Sequence, residues 1–233
     1  MNQKLRIPGE LGLLFTIIFN SLAVALMTKS DMGIASISSV PYVFSIAFPV
    51  LSFGTWNYLF QTLLVLSLMI LSRKIQWEYG FSFAVGIAFG RMIDLHSGWL
   101  VMLPDSRFMR SLYSITGFFV MCIGICTANN SLMPIIPTDT FPRDLTKLLK
   151  KPYNRIKTTF DLTCLTTTLI ISLFILNRLE GIGAGTVLCA LFAGKTITVI
   201  QKWFDRHIKF YCFSYRAKKR MMRPIFSFYR TLR

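Results

Sequence analysis

The stretch Ser30-Asp31-Met32-Gly33-Ile34 closes an apolar run that starts at Leu11. Its counterpart lies 101 residues further on, as Ser131-Leu132-Met133-Pro134-Ile135. The same shift sets Ser39-Val40-Pro41 on Thr140-Phe141-Pro142 and Ala23 on Gly124. At a shift of 100, Phe60-Gln61 meets Phe160-Asp161, and at 104 Phe89-Gly90-Arg91 meets Ala193-Gly194-Lys195. The chain therefore reads as two copies of one unit, and the fold depends on how many membrane spans each unit holds.

A membrane-spanning helix needs about 20 mostly apolar residues, each adding ~1.5 Å across a ~30 Å hydrocarbon core. Six stretches qualify: residues 10–28, 55–72, 80–102, 111–128, 158–177 and 181–200. Each unit then reads as helix, long Pro-containing loop, helix, short loop, helix. Three spans is an odd number, so the second copy must enter the membrane from the opposite side, an inverted repeat. The fold expected is an all-α membrane protein of about six transmembrane helices, with repeats over 1–108 and 109–200 and a tail over 201–233. Lys4 and Arg6 ahead of an apolar run, with Ala23-Val24-Ala25 beyond, also resemble a cleaved signal peptide. Because the repeat includes this segment, it reads as a retained helix.

Composition agrees. Of 233 residues, 53% are hydrophobic and 15% charged, with a mean hydropathy of +0.53. A soluble domain carries roughly 25% charged residues, since its surface must face water. The net charge of +16 is not a nucleic-acid signature here, because 10 of the 26 Lys and Arg lie in the last 33 residues and most others flank apolar runs. With the N-terminus inside, 20 basic residues fall in inner segments and four (Lys29, Arg107, Arg110 and Arg178) in outer ones. Basic loops are retained in the cytoplasm, so both termini are expected there.

The long loops carry most of the polar information. Residues 29–41 are followed by an apolar stretch to Leu51 that is too short to span. It reads either as a re-entrant half-helix or as a segment in the interface. Ser36, Ser38 and Ser39 are expected to cap such a helix and to aim its amides at an anion; the bland alternative is an ordinary turn-rich loop. In the partner loop, Asp139 aligns with Ser38, and Leu145, Leu148 and Leu149 against Lys147, Lys150 and Lys151 read as a short basic amphipathic helix on anionic lipid.

Charges within helices give the sharper signal. Arg91 and Lys195 occupy equivalent places in the third and sixth spans, with Asp94 three residues after Arg91 and Asp161 early in the fifth span. An Arg or Lys at mid-bilayer costs about 2.5–3.5 kcal/mol even on the lenient insertion scale. Facing one cavity, the two cations suit an anionic or carboxylate-bearing ligand. The structural alternative pairs Arg91 with Asp94 and Asp161 with Lys195. Asn57 and Gln61, at i and i+4, bond either a ligand or another helix. Gly181, Gly183 and Gly185 with Ala184 and Ala190 favour close backbone packing and also permit a hinge.

Other chemistry is not written in the chain. The cysteines Cys122, Cys126, Cys164, Cys189 and Cys212 form no CxxC pair, and four lie in apolar segments. They read as small buried hydrophobes, although the i, i+4 pair Cys122–Cys126 has a spacing that a metal or redox site can use. The only histidines are His96 and His207, and no Walker loop, HExxH or Ser-His-Asp order is present. No metal, cofactor or enzymatic activity is expected. The tail mixes aromatic residues with Lys and Arg, and is expected to rest on anionic lipid rather than on nucleic acid.

The stretches SDMGIASISSVPYVFS (30–45), LSFGTWNYLFQ (51–61), TTFDLTC (158–164) and GIGAGTVLCALFAGK (181–195) together resemble the YczE/YyaS-type family of bacterial integral membrane proteins. The resemblance covers residues 10–200 and implies a bacterial plasma membrane location without supplying a substrate; the long basic tail departs from it. The function expected is a small transporter or permease-like protein, with Arg91, Lys195, Asp94, Asp161, Asn57, Gln61, Ser38 and Asp139 at its ligand site. The alternative is a non-transporting subunit that captures a substrate for, or regulates, another complex. A homodimer is compatible with so short a chain.

Overall fold

In a computed structural model, residues 5–72, 77–131 and 136–211 are described, the side chains of 77, 78, 139, 143, 147, 153 and 154 excepted. A short strand β1 (Leu5–Pro8) leads into α1 (Gly9–Ser30), a short helix α2 (Ser36–Ala47), and the long helices α3 (Phe53–Ser72) and α4 (Trp77–Leu100). The pattern of long, short, long and long helix then returns as α5 (Arg107–Asn130), α6 (Pro137–Leu149), α7 (Tyr153–Phe174) and α8 (Ala184–His207), closed by strand β2 (Ile208–Tyr211).

Local sequence explains the boundaries. Pro8 precedes α1, and the helix ends where Asp31 turns left-handed at φ 55° and returns its N–H to Thr28 O at 3.1 Å. Ser106 caps α5, its Oγ accepting from Met109 N at 3.3 Å. The two short helices are built alike. Each carries a proline at its sixth residue, Pro41 in α2 and Pro142 in α6. Such a proline removes an intrahelical donor and bends the chain, and both are buried.

Five helices are long and apolar enough to cross a membrane: α1, α3, α5, the Arg155–Phe174 part of α7, and α8. With 24 residues α4 is as long as α5 and α8; it carries Arg91, Asp94 and His96 and is not among those five. Large apolar side chains point outward along all of them, among them Ile70, Leu95, Phe119, Leu162, Leu191 and Val199. Water does not tolerate so continuous an apolar surface on a monomer, whereas lipid does. The chain is an all-α membrane protein.

Packing centres on α1 and α5, which lie against each other along their length. Small residues permit this: Ala23 is fully buried, and Gly117 sits against Met27 and Ala23. On either side α4 packs on α1, and α8 packs on α5. The short helices cross between halves, α2 lying on α7 and α3, and α6 on α3 and α7. One expectation is corrected in extent: of the basic amphipathic segment at 145–151, only 145–149 are helical, as the end of α6, which starts at Pro137 because Pro suits the first helical position, while Lys150 turns left-handed after it.

A feature without a signal in the hydropathy pattern ties the ends together. β1 pairs in parallel with β2, Leu5 opposite Ile208 and Pro8 opposite Tyr211. The start of α1 and the end of α8 therefore lie at the same end of the molecule.

Candidate functional site

The first junction is built where α4 passes the N-terminus of α3. The leading amides of a helix have no intrahelical acceptor, and their partial positive charge attracts a carboxylate. Asp94 supplies one: its Oδ1 accepts from Gly54 N at 2.7 Å and its Oδ2 from Ser52 Oγ at 2.6 Å. Ser52 Oγ also accepts from Thr55 N at 3.1 Å. The backbones come close enough for this only because Gly54 and Gly90 face each other; a Cβ on either would overlap the other's carbonyl oxygen.

This corrects the expected Arg91–Asp94 pair. Both carboxylate oxygens of Asp94 are turned to α3, and Arg91 has no ion-pair partner among the described residues. Arg91 is exposed on the outer stripe of α4, one turn before Leu95. Asp94→Ala should lower stability by about 1–2 kcal/mol, as losing a helix cap does. Asp94→Asn, which keeps an acceptor for Gly54 N, should cost less. Thermal unfolding in detergent checks both.

The second expected pair is also replaced. Asp161 Oδ1 binds Lys157 Nζ at 2.9 Å, one helical turn away on α7. Lys195 is exposed near the middle of α8 with no carboxylate in reach among the described residues. The structure does not bring Arg91 and Lys195 together, since α4 packs chiefly on α1 and α3 while α8 packs chiefly on α5.

Asn57 and Gln61 are buried, and they bond each other: Gln61 Nε2 donates to Asn57 Oδ1 at 2.6 Å. Gln61 Oε1 has no hydrogen-bond partner among the described residues and lies over Gly86 of α4, with Pro137 of α6 close by. A buried carbonyl oxygen without a donor costs about 1–3 kcal/mol. Three helices from both halves thus meet around an acceptor free to take a hydrogen bond.

The serines of the first long loop do not cap α2. Ala35 occupies the cap position, with no side-chain bond, because the serines already belong to the helix. Ser39 Oγ instead bonds Ser36 O at 2.7 Å and Thr168 Oγ1 of α7 at 2.7 Å. Ser38 is half-buried, and its hydroxyl makes no bond among the described residues. Asp139 is in α6, but its side chain lies outside the described ones.

The loop before α2 is locked to the loop before α8, which sequence reading left as close packing or a hinge. Ile34 N donates to Gly181 O at 3.1 Å and Gly185 N to Met32 O at 2.7 Å, while Thr186 Oγ1 donates to Ile34 O at 2.8 Å. The partners that reading missed, Ser52, Gly86, Thr168 and Thr186, are small residues, and no local pattern marks them. The four described cysteines are free and buried, Cys122 and Cys189 packing with Met27, Ile34 and Phe118.

A model of a family of unknown function, DUF6198, matches residues 8–202. No curated protein matches, and no solved structure does.

Proposed function

The chain belongs to the DUF6198 family, a family of unknown function, and from that footing we propose that it is a small six-span carrier of an anionic or carboxylate-bearing molecule. The observation that carries this reading is the pair of unmatched cations. Arg91 and Lys195 stand at equivalent repeat positions, each deep within a 24-residue helix, while the nearby carboxylates are engaged elsewhere. A cation held at depth without a counter-ion favours an arriving anion. In this reading the free Gln61 Oε1 accepts a hydrogen bond from a donor group of the ligand, Asn57 and Ser38 line its path, and Asp94 and Asp161, held by α3 and by Lys157, leave the two cations to the anion.

The span count and the inverted repeat belong to the same proposal. With the start of α1 and the end of α8 at one end of the molecule, the number of crossings between them is even, which favours α4 as the sixth span beside the five apolar ones. The returning helix pattern and the matched prolines support duplication, with repeats over 1–108 and 109–200. The charge bias supports cytoplasmic termini, with the basic loop and tail against anionic lipid. A bacterial plasma membrane, the YczE/YyaS-type likeness and a homodimer complete the reading.

Uptake into proteoliposomes tests it, with inorganic anions, amino acids and small organic acids offered under proton and sodium gradients. At least one probe should accumulate, and Arg91→Ala and Lys195→Ala should each reduce its uptake ten-fold or more. No accumulation of any probe, or unchanged rates in both variants, would overturn the proposal.

A further inference from the structure

Exchange α1 with α5, α2 with α6, α3 with α7 and α4 with α8, and the packing nearly maps onto itself. The α1–α5 contact is its own image. The contacts α1–α4 and α5–α8 exchange, as do α2–α7 and α3–α6, and α2–α3 and α6–α7. One extensive contact breaks the pattern. α3 and α4 pack together extensively, whereas among the described residues α7 and α8 touch slightly at most.

The same asymmetry shows at a single residue. Gly90 and Gly194 are repeat equivalents, each followed by the mid-helix cation. Gly90 is pressed against α3, where an added Cβ would overlap Gly54 O and lie 3.2 Å from Tyr58 Cβ. Around Gly194 nothing among the described residues lies within 4 Å. A glycine inside a helix is unfavourable by about 1 kcal/mol against alanine, and in this conformation Gly194 has no packing that requires it. Gly80 and Gly98 also meet nothing within 4 Å among the described residues, but they lie within a turn of the ends of α4, where glycine costs less.

Resting on the carrier reading, we propose that α8 docks on α7 through Gly194 in a second conformation, as α4 docks on α3 through Gly90 in this one. Inverted repeats provide two such states because each half can take the other's arrangement. Docking lays Ala190 over Asp161, as Gly86 lies over Gln61, and so covers the Lys157–Asp161 pair, now about one-third exposed. The loops at 31–35 and 181–186 stay locked, so that α8 swings about the end nearest Gly183 and the β1–β2 pairing at its other end opens with it.

Cross-linking tests the exchange without any need for a ligand. Thr158 and Ala190 take the places of Tyr58 and Gly86, and both are exposed here. A full-length Thr158→Cys/Ala190→Cys protein in lipid vesicles is treated with a short bifunctional thiol reagent, and the 158–190 linkage is read by peptide mass spectrometry. The linkage should form, and adding Gly194→Leu should abolish it. Should that variant fail to fold, Gly194→Ala, which helix propensity favours, should reduce the yield several-fold. No linkage in the parent, or an equal yield with either substitution, overturns the docking. Linkage lost with Gly194→Leu in vesicles that accumulate no anion would uphold the docking and overturn the carrier reading alone.

Discussion

Gly33→Val should leave little folded protein. Gly33 has a φ of +94°, a region that a β-branched residue enters only at a cost of about 1–2 kcal/mol. The new side chain would also overlap Gly183 N, with Thr186 Oγ1 2.6 Å and Gly183 Cα 2.8 Å from its Cβ. Overpacking against backbone adds roughly 1–3 kcal/mol. The hydrogen bonds of Ile34, Gly185 and Thr186 all depend on that approach. A total near 4 kcal/mol is a large part of the stability of a typical domain. Size-exclusion profiles and thermal midpoints in detergent check this, with Gly98→Val, where nothing lies within 4 Å, as a control expected to behave almost like the parent. A monodisperse Gly33→Val protein with an unchanged midpoint would show that the two loops are not locked.

Gly90→Leu and Gly194→Leu should differ sharply although the sequence aligns them. The first places a branched side chain where the Gly54 carbonyl stands, and it separates Asp94 from the Gly54 amide and Ser52 hydroxyl. A loss of roughly 3 kcal/mol follows from overpacking and the lost cap together. The second meets open space, so its thermal midpoint should stay within about 2 °C of the parent, as for a surface substitution. Equal losses in both variants would mean that α7 and α8 pack as α3 and α4 do, contrary to the asymmetry between the halves. Equal tolerance would mean that the Gly54–Gly90 contact is dispensable.

The six helical segments were legible because apolar length is a one-dimensional property: 10–28, 55–72, 80–102 and 111–128 fall on α1, α3, α4 and α5 within a few residues. The largest displacements are at α7 and α8. There the chain leaves α7 after Phe174 and runs through Gly181 and Gly183 before α8 starts, and a flexible backbone does not alter hydropathy. The short helices were legible as apolar or amphipathic stretches between prolines. Their partners were not, since α2 and α6 each reach a long helix of the other half.

The candidate site was legible in its residues and not in its contacts. Asp94 stood three residues from Arg91, and sequence spacing alone makes that pair attractive. It loses to the α3 N-terminus, where two donors converge on one carboxylate. The Ser36–Ser39 group looked like a cap, yet one residue of register puts Ala35 in that place.

From its order of residues alone, this chain is committed to lipid, because apolar length needs no partner to be read. Which helices touch was decided in three dimensions, by where a missing Cβ lets two backbones meet, at Gly33 with Gly183 and at Gly54 with Gly90. Close packing depends on both surfaces at once, and so Gly90 and Gly194, alike in the sequence, have different surroundings in the fold.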